Sequence, residues 1–383
     1  MKKKRAMALI LSLFLLAGCV PINRPSEPTP EPTPAPTALT WLHGFYANSS
    51  YSQLALTDHM DAVSLGWARL RLDDRGVWIS TTRENGNEWV IPQGHELVTE
   101  YLKERDIPYN LCVYASASGK VELEDGTELA VLAAAISKEY RAHTVAALVA
   151  AAEDYQGLTI DFEGLRQDAR EDFSTFMQDL RAALPGKKLL YAAVPPDRWY
   201  QGYDYRSLGE VCDKVILMAH DYQWVRAPEE NLGTADTDTP IAPIGQVAEA
   251  LAHFTDPDTG VQDLSKAAIA VAFSCAGVEV DEDGLLLDTK VYNPGTAILT
   301  RRLLQADVEK GWSEEYQAPY VFYHDEEGCR YRVWYEDARS VEAKVELAYQ
   351  YGVTGLSLWR LGTVPEDGEV YDVWSAVLGQ LEN

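Results

Sequence analysis

The chain has 383 residues, 46% hydrophobic and 24% charged, enough for one large α/β domain or two small ones. Its formal net charge is −26, and removing residues 1–18, whose only charges are Lys2, Lys3, Lys4 and Arg5, gives −26 − 4 = −30. That balance disfavours nucleic acid, whose binding rests on Lys and Arg neutralising phosphates, and suits an uncharged or weakly charged ligand.

The chain begins MKKKRAMALILSLFLLAGC, a basic start, an apolar core and then small residues, the anatomy of an export signal. Leu16-Ala17-Gly18-Cys19 resembles a bacterial lipobox, which implies that Cys19 is lipidated and tethers the protein to the outer face of the cell membrane. Residues 20–40 are rich in Pro and Thr and hold too few large apolar side chains for a core; they read as an extended spacer, about 3.1 Å per residue. The folded domain is expected over 41–383.

From Trp41 onward, short β-branched or aromatic runs alternate with helical stretches. Eight strands are expected: Leu42–Tyr46, Ala62–Trp67, Tyr109–Tyr114, Leu158–Phe162, Lys188–Val194, Lys214–His220, Ala267–Phe273 and Thr354–Trp359. Residues 128–155 and 170–184 read as outer helices. Eight such units close a TIM barrel. The extra length goes into insertions. Residues 71–95 read as a hairpin with GVWIS and EWVIP flanking Asn85-Gly86-Asn87, and residues 276–335 as a small α+β lobe between the seventh and eighth strands. A doubly wound sheet ranks lower, since no GxGxxG follows a first strand.

The five cysteines form no CxxC pair and have no His at zinc spacing, so neither a metal nor another cofactor is expected. Cys112 and Cys212 lie in or beside apolar runs and read as buried small hydrophobes.

The chemistry is concentrated in Gln156-Gly157-Leu158-Thr159-Ile160-Asp161-Phe162-Glu163. On a strand, Thr159, Asp161 and Glu163 share one face and Leu158, Ile160 and Phe162 the other. In a barrel the acids take the lumen, near the C-terminal mouth. Two carboxyls so close are costly to bury together unless one is protonated, as a general acid must be. Taken alone, the pair serves equally well as solvated loop residues or as partners of a core Arg.

The segment resembles the signature D-G-x-D-x-D-x-E of the family 18 glycoside hydrolases, and most nearly the D-G-[IV]-N-I-D-F-E of the spore-cortex-lytic glucosaminidase branch. Gly157, Ile160, Asp161, Phe162 and Glu163 match, while Gln156 and Thr159 depart. Gly44-Phe45-Tyr46 resembles the opening G-[FY]-Y, Met218-Ala219-His220-Asp221 the sixth-strand M-x-Y-D with His for Tyr, and Trp334-Tyr335-Glu336-Asp337-Ala338-Arg339-Ser340 the branch's W-[FY]-E-D-A-R-S. Gly355–Gly362 resembles the last strand.

The resemblance implies a retaining reaction in which the substrate's own 2-acetamido group is the nucleophile. Glu163 would be the acid and then the base, Asp161 would hold the acetamido N–H, and Asp221 and His220 would line the pocket, His220 donating to the acetamido carbonyl. Trp359 would floor the acetamido subsite. Thr159 offers a hydroxyl where the family has a second acid. Tyr46, Trp67, Tyr114, Tyr222 and Trp224 fall at expected strand ends, where aromatic faces bind sugars. Glu336 and Arg339 are as consistent with a cap and ion pair as with ligands. The expected partner is an N-acetylglucosamine-containing polysaccharide, peptidoglycan before chitin, bound by a monomer. The other reading is a catalytically silent carbohydrate-binding lipoprotein of the same fold.

Overall fold

The computed structural model describes residues 38–196, 201–368 and 370–381. The signal segment, Cys19 and most of the spacer lie outside them. The spacer ends earlier than expected: Leu39 is buried and bridges to Leu381, so the domain begins before Trp41.

All eight expected strands form. They are β1 (Trp41–Tyr46), β2 (Ala62–Asp73), β3 (Tyr109–Ser116), β4 (Gly157–Glu163), β5 (Leu189–Val194), β6 (Lys214–Met218), β7 (Ala267–Ala272) and β8 (Gly355–Trp359). Each pairs in parallel with its neighbour in chain order, and β8 pairs back onto β1, closing the barrel. Closure buries the strands on both faces, which is why they read as nearly continuous apolar runs.

Two apolar layers result. One lies between strands and helices and takes Leu158, Ile160 and Phe162 of β4; Phe162 packs on Phe176 at 5.6 Å between ring centroids. Each such side chain contributes roughly 1.5–3 kcal/mol. The other fills the lumen with Trp41, Phe45, Cys112, Tyr191 and Ile216. Gly157 lets β4 approach β5 closely, since a Cβ there would stand 2.1 Å from the Leu189 carbonyl oxygen.

Three sequence expectations need correction. Residues 128–155 do not form one helix; a short strand, Glu128–Ala130, pairs with Lys120–Glu122, and helices Val131–Ile136 and Arg141–Ala151 follow. The hairpin after β2 lies earlier than expected: Gly76–Ser80 pairs antiparallel with Arg69–Asp73, the far end of β2 itself. Residues 88–92 form no strand, because the segment folds as a loop whose Asn87 amide donates to the Thr82 and Trp89 carbonyls. Strand β6 also stops at Met218, leaving His220 beyond its end.

The insertion is a five-stranded antiparallel sheet built from Ala276–Val280, Leu286–Tyr292, Glu309–Ser313, Ala318–His324 and Arg330–Trp334, with one helix, Thr296–Leu303. The chain returns to β8 through Ala338–Gln350, a helix that starts with a capping box between Asp337 and Ser340. Just before it, Glu336 is fully buried against Lys344, 2.7 Å away and equally buried. Arg339 instead reaches Glu314 and lies over Trp312 on the surface. Both residues are thereby placed in structural pairs. Cys112, Cys212, Cys275 and Cys329 are free, and the first three are buried.

Candidate active site at the barrel mouth

Strand alternation carries Asp161 into the lumen and Glu163, the last residue of β4, to the mouth. Gly164 follows with a φ of 84°, turning the chain, and the Tyr203 hydroxyl holds the turn by donating to the Phe162 carbonyl at 2.6 Å. Asp161 is 3% exposed, and its Oδ1 has no hydrogen-bond partner among the described residues. Burial, and then the charge of Glu163, push the Asp161 carboxyl far above the ordinary range. Glu163 is also raised, by burial first; the His220 charge opposes the shift and Asp221 adds to it.

These two acids share a cavity of about 60 Å³ with Phe45, Met218, His220, Asp221 and Trp359. His220 is 5% exposed, with Nδ1 3.0 Å from Asp221 Oδ2 and a buried Nε2 that has no partner among the described residues. Asp221, at the rim, sits in the left-handed backbone region, φ 64°, uncommon for a non-glycine. Partial desolvation works against its ionisation, but the His220 charge and hydrogen bond, with the Gln223 amide, outweigh it and hold the carboxyl below the ordinary range.

Other expected residues lie elsewhere. Tyr46 and Trp67 face away from the lumen and meet edge to face at 6.2 Å in the layer beneath the helices. Strand parity explains this: with Phe45 inward, Tyr46 must be outward. Tyr114 does reach the mouth, stacked on Trp89 at 4.6 Å, with the Arg69 guanidinium 5.3 Å from its ring. Tyr222 lines a second pocket of about 340 Å³ that continues from Glu163 past Pro195, Pro196 and Gln223. Trp224 packs against the insertion instead. Trp359 borders both the acid cavity and a third pocket of about 320 Å³ beyond Trp89.

Thr159 is fully buried one layer below Asp161 and lines none of these cavities. Its hydroxyl hydrogen-bonds Ser64 at 2.6 Å; Ser64 meets His43 Nε2 at 2.8 Å, and His43 Nδ1 meets Ser357 at 2.7 Å. Burial, then the Lys214 charge, lower the His43 pKa to about 3, so this lumenal chain is neutral. Gln156 lies at the opposite end of β4, about 20 Å from the mouth at 3.3 Å per residue, so its departure from the signature leaves the acid pair untouched.

Phe45, Trp89, Met218 and Arg360 are site residues that the sequence reading did not select. Phe45 was within reach of the alternation argument. Trp89 carries no local signal, because a loop brings it to the mouth.

Raised carboxyls in an enclosed cavity, an aromatic floor and open pockets on either side define a class: a parallel α/β barrel equipped for acid–base work on a ring-shaped polar ligand. Residues 118–363, well over half of the chain, match the model for glycosyl hydrolases family 18, and the chain belongs to that family.

The cortical fragment-lytic enzyme of Bacillus subtilis (strain 168) is 27% identical over 220 residues, covering 54% of this chain and 47% of that protein. The chain thus spans about half the length of that curated relative. The di-N-acetylchitobiase of Rattus norvegicus is 21% identical over 278 residues, covering 65% of this chain and 72% of the relative. Among solved structures, the chitinase from Chromobacterium violaceum ATCC 12472 superposes with a TM-score of 0.69 at 23% identity, covering 90% of this chain and 99% of that one. The Bacillus cereus spore cortex-lytic enzyme SleL does so at 0.67 and 17%, covering 89% and 74%. Both share the fold.

Proposed function

We propose that the protein is a glycosidase that cleaves N-acetylglucosamine-containing glycans, peptidoglycan before chitin, with retention and with assistance from the substrate's acetamido group. The observation that carries this reading is the raised, cavity-facing pair Asp161 and Glu163 beside Trp359. The Glu163 carboxylic acid donates its proton to the leaving glycosidic oxygen while the acetamido carbonyl oxygen attacks C1. Asp161 accepts a hydrogen bond from the acetamido N–H, which turns the carbonyl oxygen toward C1 and stabilises the cationic oxazoline through that same N–H. The Glu163 carboxylate then takes a proton from water as that water attacks C1 and opens the ring. The names of the cortical fragment-lytic and spore cortex-lytic relatives favour wall glycan. A lipid on Cys19 and the extended spacer would hold the barrel beside that wall.

Digestion of N-acetylated wall glycan and chitooligosaccharide, with product mass analysis, tests the proposal. The protein should release reducing ends, Glu163→Gln should abolish the release at unchanged melting temperature, and a thiazoline mimic of the intermediate should inhibit. Equal release by wild type and variant removes the acid assignment. Binding without release by either favours a silent carbohydrate-binding barrel, the reading that Thr159 in place of a second acid supports.

A further inference from the structure

We propose that the pocket beside Trp359 lined by Arg83 and Arg360 recognises a carboxylate on the sugar next to the N-acetylated one, as the lactyl ether of N-acetylmuramic acid presents. The inference rests on the glycosidase reading above and names the glycan that the cleft selects.

Trp359 borders this pocket and the acid cavity alike, so a chain of sugars passing from one to the other crosses its ring. Arg360 follows Trp359 directly. Its Nη1 donates to Ser49 Oγ at 2.6 Å, and its backbone is braced by Thr363, whose hydroxyl donates to the Arg360 carbonyl at 2.7 Å. One edge of the guanidinium is therefore fixed while its other N–H groups remain for a ligand. Neither Arg360 nor Arg83 has an acidic partner at ion-pair distance among the described residues, and burial lowers the Arg360 pKa with no carboxylate to offset it. Glu88 lines the same pocket and is exposed, leaving two cations against one anion.

This charge runs against the composition of the chain, which has 33 Lys and Arg against 59 Asp and Glu. It also runs against the other flank of the acid cavity, where the pocket past Pro195 holds Glu163 and Asp221 and, among the described residues, no Lys or Arg. Among the described residues, then, cations gather at one flank of the cleft and acids at the other. A neutral homopolymer has no use for a fixed guanidinium charge at one flank, whereas a carboxylate pairs with that fork in two hydrogen bonds. In a glycan strand stripped of its stem peptides, alternation of N-acetylglucosamine with N-acetylmuramic acid puts a carboxylate-bearing sugar beside whichever N-acetylglucosamine Trp359 seats, so the cleft selects peptide-free strands.

The test uses the full chain and one oligosaccharide of alternating N-acetylglucosamine and N-acetylmuramic acid in two forms, with free lactyl carboxylates and with those carboxylates converted to methylamides. Wild type should favour the carboxylate form by about tenfold or more in kcat/KM, mainly through KM, with the preference shrinking as salt rises. The double variant Arg83→Gln/Arg360→Gln should cut that ratio to about threefold or less, and Arg360→Lys should keep part of it. A purely structural role would lower both rates and leave the ratio unchanged, which overturns the proposal, as does a wild-type ratio near one. If wild type cleaves neither form, the glycosidase reading fails separately. Calorimetric binding of the two oligosaccharides then decides: an Arg-dependent preference for the carboxylate sustains the subsite, and equal or no binding removes it.

Discussion

His220 presents Nδ1 to Asp221 at 3.0 Å and leaves Nε2 buried with no partner among the described residues. The Asp221 carboxyl is held below the ordinary range, so its ionised form takes the Nδ1 proton as a hydrogen bond. Neutral His220 therefore offers an acceptor at Nε2, and only the imidazolium offers a donor there. The phenol found at this place in the family's motif donates without changing charge.

The pH profile follows from these neighbours. Glu163 must be protonated to act as an acid, so activity falls as pH rises through its raised pKa. Removing the His220 charge, which lowers that pKa, should move the alkaline limb of kcat/KM upward in His220→Asn. Removing Asp221, which raises it, should move the limb downward in Asp221→Asn. Rate profiles of the two variants moving in the same direction would contradict the assignment.

Buried Asp161 and His43 set opposite pH dependences of stability. The folded pKa of Asp161 lies above its unfolded value, so its contribution is fully present below the unfolded pKa and is lost as pH rises through the folded one. His43 is lowered to about 3 from an unfolded value near 6.5, so its contribution is present above that unfolded value and is lost as pH falls toward 3. Asp161→Asn should melt about 2–4 °C higher than wild type at pH 8, with the gain shrinking toward pH 4, while activity is lost. Calorimetry across that range checks both slopes.

Two tryptophans should separate function from packing. Trp359→Ala removes the floor between two pockets and should lower kcat/KM by roughly 30–150-fold, equivalent to about 2–3 kcal/mol of sugar contact, with a small change in melting temperature. Trp67→Ala empties a fully buried site in the outer layer and should destabilise by about 3–5 kcal/mol, while the folded fraction keeps wild-type kcat/KM. Denaturant titration beside kinetics distinguishes them.

The Glu336–Lys344 pair should behave as structure. Lys344→Met strands a buried carboxylate and should cost about 3–5 kcal/mol, whereas Glu336→Leu/Lys344→Met should recover much of that loss. Loss of substrate affinity in the folded double variant would instead place Glu336 in binding.

The sequence by itself determined the eight barrel strands, the insertion and the strand face that carries Asp161 and Glu163, because apolar runs and two-residue alternation are local properties of the chain. Parity along β1 likewise sends Tyr46 outward once Phe45 is inward. What only the tertiary structure decided are contacts between distant segments. Closure of β8 onto β1 brings Trp359 and Phe45 to 5.1 Å, the loop after the β2 hairpin lays Trp89 on Tyr114, and residues 83 and 360 come to line one pocket. No local pattern encodes such meetings, since they depend on how the barrel closes and where its loops fold back over the mouth.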